Sequence, residues 1–153
     1  MRLAVVGAAG MTGRKVVENA LHRGLKVTTV ARRPLAGDFP DTLNHEIADV
    51  RDPASLTAAF AGADAVISTI GPSRNLSPGD LMSVGTSNIV SACISAGVPR
   101  FVMQGGILST DGTELSLPDR LALCALRFVY RQGLADKTIA EAAVRSAPLD
   151  WTI

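Results

Sequence analysis

From Leu3 to Arg14 the chain reads Leu-Ala-Val-Val-Gly-Ala-Ala-Gly-Met-Thr-Gly-Arg, an apolar run followed by glycines at 7, 10 and 13. A short, partly β-branched run with no polar interruption suits a strand covered on both faces. Gly7 can adopt backbone angles closed to other residues, and Gly10 lets the chain approach a ligand with no Cβ in the way. Gly13 falls where the next helix presses on the strand. The opening of that helix offers unpaired N–H groups and a partial positive charge, which suits an anion. A Gly-x-x-Gly-x-x-Gly turn between a strand and an amphipathic helix predicts a dinucleotide site. The other reading is a tight strand-to-helix turn with a purely structural purpose.

Alternation of strand and helix signals continues through the 153 residues and predicts one α/β domain over 1–153. A helix over 12–23 stops at Gly24, and strands follow at 27–31 and 45–49, with a loop at 33–43 holding Pro34, Gly37, Asp38 and Pro40. Asp52-Pro53 starts a helix, 65–70 forms the fourth strand, and Asp80 caps a longer helix that Gly97 closes. A fifth strand begins at 101–103 and runs into Gly105-Gly106. Helices over 118–131 and 134–146 lead to a sixth strand at 151–153. Right-handed crossovers then give a Rossmann-like, doubly wound parallel sheet of order 3-2-1-4-5-6 with helices on both faces.

Composition excludes several classes. Hydrophobic residues make up 47% and charged ones 19%, which argues against disorder. Net charge is +1 and aromatics are 4%, so no basic, aromatic-laced stripe points to nucleic acid. No apolar run approaches a membrane span and no leader pattern opens the chain, which predicts a cytoplasmic protein with no membrane partner. Cys93 and Cys124 read as small buried hydrophobes, and no Cys or His spacing suggests a metal site. His22 reads as a helix-end residue and His45 as solvent-facing.

The second strand ends in Val30-Ala31-Arg32-Arg33-Pro34, where an NAD site usually carries an acid for the ribose 2′-hydroxyl. Two guanidiniums instead match a 2′-phosphate, so NADP(H) is expected over NAD(H). A solvated basic pair is the alternative. Asp49-Val50 either bracket the adenine or close a turn through Asp52. Thr69-Ile70-Gly71 end the fourth strand beside the topological switch point, with Gly71 leaving room for the middle of the cofactor.

Gly7 to Gly13, Arg32-Arg33, Asp49-Val50, Gly71 and the run Arg74-Asn75-Leu76-Ser77-Pro78 together resemble the atypical short-chain dehydrogenases. The likeness is greatest to the NAD(P)-binding group that contains flavin reductase (biliverdin-IXβ reductase) and the NmrA-like proteins. That resemblance implies that Gly7, Ala9, Gly10, Met11, Thr12, Gly13 and Arg14 face the pyrophosphate. It puts Arg32 and Arg33 at the 2′-phosphate and Asp49 and Val50 at the adenine. Thr69, Ile70, Gly71 and Arg74 then follow the ribose and nicotinamide side, although Arg74 also reads as a solvated loop arginine. Members of that group continue past the sixth strand into segments that wall the substrate pocket, so the resemblance implies a shortened chain, a tail beyond residue 153, or a wall supplied by a partner.

The family's Tyr, four residues before a Lys, is absent: Lys137 matches the Lys, but Gly133 stands in the Tyr position, and Tyr130 lies seven residues before Lys137. Flavin reductase carries a serine after its fifth strand where this chain has Gly106, with Ser109 and Thr110 nearby. Lys137 and Ser109 are the candidate catalytic residues, and Lys137 with Glu141 also reads as an i, i+4 surface pair. The expected function is an NADP(H)-dependent reductase moving hydride to a planar, conjugated, flavin- or quinone-like small molecule. A non-catalytic NADP(H) redox sensor with a protein partner is the alternative, and a sugar-nucleotide epimerase or dehydratase a third reading.

Overall fold

Leu3, Ala4, Val5 and Val6 are all buried, which a run of consecutive apolar residues achieves only in a strand with layers on both sides. A computed structural model of the chain describes residues 1–35, 39–40, 43–71, 79–106, 110 and 113–153. Its strands are β1 (Arg2–Val6), β2 (Lys26–Ala31), β3 (Asn44–Ile47), β4 (Ala65–Ser68), β5 (Arg100–Met103) and β6 (Asp150–Thr152). The helices are α1 (Met11–His22), α2 (Pro53–Ala59), α3 (Leu81–Ala96), α4 (Leu117–Val129) and α5 (Arg131–Arg145). All strand pairs are parallel, in the order β3-β2-β1-β4-β5-β6, as the alternating pattern predicts. Their carboxyl ends therefore share one edge, where the loops that follow β1, β2, β4 and β5 meet.

Period-two alternation divides the core. Ala4 and Val6 face a cluster with Phe60 at the end of α2, Ile89 of α3, Phe101 of β5 and Val144 of α5. Leu3 and Val5 face a smaller cluster with Val17, Ala20 and Val27, and α1 is the described helix that packs there. Farther across that side the sheet is not covered by a described helix. Half-buried Ile67 and Val102 line an apolar groove of about 430 Å³, rimmed by Lys15, Arg23 and Arg100.

Several local expectations change. β3 and β4 end at Ile47 and Ser68, two residues short of the expected 49 and 70, although the N–H groups of Ala48 and Thr69 still donate to the Ala31 and Val6 carbonyls of the neighbouring strands. Helix α4 gives way to α5 at Tyr130, so Gly133 lies inside α5 rather than before it. Asp52 caps α2 as expected, its carboxylate accepting the Ala54 N–H at 3.1 Å. Asp80 does not cap α3: its carboxylate turns outward to Arg51 at 2.5 Å. That guanidinium holds the Asp80 carboxyl below the usual carboxylate range. Cys93 is buried, and burial pushes its thiol up to about 12. Cys124 is exposed, contrary to expectation, because α4 turns most of its apolar residues away from the core. His22 is exposed in the last turn of α1, and exposed His45 meets the Thr29 hydroxyl at 2.7 Å.

Candidate functional site

At the end of β1 the glycines do distinct physical work. Gly7 turns the chain at φ +79, and a Cβ there would meet Thr69 Oγ1 at 3.0 Å. A Cβ on Gly13 would lie 2.3 Å from the Gly7 carbonyl oxygen and 2.7 Å from Ala8 Cα, so the first turn of α1 can rest on the loop only with glycine at 13. The Gly10 N–H donates to the Gly7 carbonyl at 2.9 Å, which closes the turn. Ala9, Gly10, Met11 and Thr12 are exposed at its crest, with Met11 91% exposed. Gly10 is the N-cap of α1, with no side-chain cap and no acid in the first turn. The α2 and α4 termini are capped by Asp52 and Ser116, whereas that of α1 has no side-chain oxygen over it and suits an external anion.

Beside this crest lies a cleft of about 280 Å³ lined by Ala9, Arg14, Arg33, Pro34 and Leu35. Arg14, on the first turn of α1, reaches it from one side and Arg33, just beyond β2, from the other. The Arg14 guanidinium also lies 5.6 Å from the centre of the Phe39 ring, a cation–π distance. Arg32 is exposed and does not line the cleft. Phe39 and the pairing of Arg14 with Arg33 were not visible in the sequence pattern, since 19 positions separate the two arginines and only the loop after β2 brings them together.

Asp49 closes the turn: its Oδ1 accepts the Arg51 N–H at 2.9 Å and its carbonyl the Asp52 N–H at 2.8 Å. Val50 is half-buried and packs with Ile70 against Gly85 of α3, where a Cβ would meet Val50 Cγ2 at 2.9 Å and Ile70 Cδ1 at 3.2 Å. The Asn88 amide holds the Val50 carbonyl at 2.9 Å. Gly85 is a site residue by support, and its sequence signal was a glycine kept inside a long helix despite costing roughly 0.5–1 kcal/mol relative to Ala.

The far end of the edge is built from the loops after β4 and β5. The N–H and the hydroxyl of Thr69 each donate to the Val6 carbonyl at 2.9 Å, which ties the β4 end to the glycine turn. Gly71 is exposed, with open space where a Cβ would be. Gly105 and Gly106 are exposed beyond β5, and a Cβ on Gly106 would stand 2.7 Å from Lys137 Nζ. The Lys137 side chain is 16% exposed, with Glu141 at 3.9 Å, itself joined to Arg145 at 3.0 Å. Lys137 and Glu141 thus form the expected i, i+4 pair, but it is half-buried rather than on the open surface, with the ammonium beside Gly106 of the β5 loop. Burial lowers the lysine below its ordinary range, and Glu141 offsets this only in part.

The residue before it was missed. Asp136 is buried, and its two carboxylate oxygens accept the N–H groups of Met82 at 2.8 Å and Ser83 at 3.0 Å. A carboxylate from α5 thus fills the N-terminus of α3, the role the sequence suggested for Asp80. No local pattern could reveal a cap contributed from 54 positions away. Arg74, with Asn75 to Pro78, lies outside the described residues, as do Gly37, Asp38 and Ser109. Among the described residues no group of His, Cys, Asp and Glu could hold a metal ion, and no helix is long and apolar enough to cross a membrane.

Comparison with known proteins bears on this arrangement. Residues 7–153 match a family described as NAD(P)H-binding. Rv2047c of Mycobacterium tuberculosis is 32% identical over 132 residues, which cover 84% of this chain and 14% of that protein. The chloroplastic protein At2g34460 of Arabidopsis thaliana is 30% identical over 161 residues, which cover 99% of this chain and 57% of its own. The chain thus spans under two thirds of the length of these curated relatives. ChuY, an anaerobillin reductase from Escherichia coli O157:H7, shares the fold with a TM-score of 0.71 at 21% identity, over 99% of this chain and 70% of its own. The glycine turn, the uncapped start of α1 and the parallel sheet have the form that such a cofactor requires. The chain belongs to the NAD(P)H-binding family and has a Rossmann-like fold.

Proposed function

We propose that this chain binds NADP(H) in preference to NAD(H) and acts as a reductase toward a planar, conjugated, flavin- or quinone-like acceptor. The observation that carries the coenzyme preference is the cleft in which Arg14 and Arg33 converge beside Ala9. A 2′-phosphate placed there accepts charge-assisted hydrogen bonds from two guanidiniums, each worth about 1.5–3 kcal/mol. Backbone N–H groups of Met11 and Thr12 hold the pyrophosphate, and Gly7 and Gly13 keep the approach narrow. Reduced nicotinamide, when bound, supplies hydride. The protein's part is to place the acceptor over the bare backbone of Gly105 and Gly106 and to exclude water. A flat ring suits a floor without side chains.

Fluorescence titration with NADPH and NADH, followed by steady-state NADPH oxidation with FMN, tests this reading. Binding of NADPH at least about tenfold tighter than NADH, with turnover above buffer, supports it. Equal affinities remove the coenzyme preference, and tight binding without turnover removes the reductase. A second reading, a redox sensor that distinguishes NADPH from NADP⁺ and reports to a protein partner, draws support from Gly133 and Gly106, which leave no hydroxyl at two positions where related enzymes carry one.

A further inference from the structure

We infer that α4 is a membrane-surface anchor, a helix that lies flat on a lipid bilayer carrying anionic headgroups. The inference stands apart from the coenzyme reading, since none of its residues belongs to the glycine turn or to the arginine cleft. Leu117, Leu121, Leu126, Phe128 and Val129 are between 46% and 75% exposed, although water disfavours each of them. With exposed Cys124 and Ala125 they cover an apolar arc of roughly 200° around the helix, at about 100° per residue. Leu123, on the opposite side, is the α4 residue buried in the protein. The helix is also specified locally, by the Ser116 hydroxyl that accepts the Asp119 N–H and by Pro118 in its first turn.

Charges sit at the margins of that arc. Arg120 and Arg127 border it on one side, with the Arg127 guanidinium donating to the Thr110 carbonyl. At the C-terminal end the Arg131 guanidinium lies 5.6 Å from the centre of the Phe128 ring. The acids of the segment are Glu114, ahead of the helix, and Asp119, on the far margin, whose carboxylate takes the Ser116 hydroxyl at 2.6 Å. Three arginines against two acids leave the segment cationic, with both helical arginines along one border. That arrangement lets guanidiniums reach headgroup phosphates while leucines and phenylalanine sink among the acyl chains.

A second copy of the chain fits the same face less well. The arc is wider than the narrow seam two helices share. An antiparallel pair along Leu117, Leu121, Cys124 and Phe128 also sets Arg120 of one copy against Arg127 of the other, a repulsion that anionic lipid turns into attraction. At 13 residues, about 20 Å, α4 is too short to span a bilayer and need only rest on it. The expectation of no membrane partner rested on span length, which a helix lying flat does not require.

Flotation with vesicles of pure POPC, and of POPC carrying about 30% anionic POPG, tests this. Wild type should bind the mixed vesicles about fivefold or more tighter than pure POPC, a preference that high salt weakens. The double variant Leu121→Gln, Phe128→Gln should bind the mixed vesicles about tenfold or more weakly. Arg120→Glu, which leaves the apolar arc intact, should abolish the preference for POPG. Both variants alter exposed positions and should keep the urea midpoint of wild type. An environment-sensitive dye on the exposed Cys124 thiol should shift to the blue when mixed vesicles are added. Wild type that floats with neither vesicle overturns the anchor, as does undiminished binding by the double variant or a dye that reports water throughout. A dimer seen by analytical ultracentrifugation and abolished by the double variant gives the face to a second copy and overturns it too.

Discussion

Replacing Asp136 by Ala removes one carboxylate that accepts two backbone N–H groups at the start of α3, from Met82 at 2.8 Å and Ser83 at 3.0 Å. A hydrogen bond to a charged group contributes about 1.5–3 kcal/mol, and a buried donor left without a partner costs a similar amount. Met82 is 3% exposed, so water cannot replace the lost acceptor there, whereas half-buried Ser83 can be partly hydrated. The full value is therefore counted for Met82 and a fraction for Ser83, a loss of about 2–4 kcal/mol. In a domain of this length that lowers Tm by roughly 2–4 °C for each kcal/mol. Asp136→Asn keeps one acceptor oxygen but directs an NH₂ group at the other amide, so its loss should fall between those of wild type and Asp136→Ala. Urea unfolding followed by circular dichroism measures both, with the m-value unchanged if only stability moves. Amide exchange at Met82 should accelerate in the Ala variant. Stability within about 0.5 kcal/mol of wild type would refute the cap, as a surface substitution does no more than that.

Arg33→Ala and Arg14→Ala should each weaken NADPH binding about tenfold or more and leave NADH within about twofold, while Arg32→Ala does less; titration with both coenzymes decides it. Gly13→Ala forces backbone apart and should cost about 1–3 kcal/mol in chemical unfolding. Gly10→Ala, whose nearest contact is 3.3 Å from the Gly7 carbonyl, should keep the fold and lose coenzyme affinity. A thiol reagent should label exposed Cys124 quickly and buried Cys93 only on unfolding, read by mass spectrometry. Lys137, lowered by burial from 10.5, binds fewer protons folded than unfolded in the window below that value. Wild type should therefore gain stability relative to Lys137→Met as pH rises through that window, measured by urea unfolding at several alkaline pH values.

Much of the architecture was legible because its signals are local. An apolar run of strand length, glycines at three-residue spacing and an Asp-Pro helix start each act within a few positions, and the structure keeps all three. Strand boundaries drifted by two residues, at Ile47 and Ser68, because a sequence pattern marks an element more sharply than its end. Asp80 shows the limit: its type and position fit a cap, yet an arginine across the edge competes for its carboxylate and a distant aspartate takes its place.

The amino-acid order alone therefore determined the parallel sheet, its strand sequence and the glycine form of the first turn. Steric needs at single glycines and the period of buried residues are written in nearest neighbours. Only the tertiary structure decided that Arg14 and Arg33 line one cleft, that Asp136 closes α3, and that Lys137 reaches the β5 loop beside Gly106. Those pairings depend on where the crossovers deliver each helix, and burial and charge are properties of that assembled edge rather than of any segment within it.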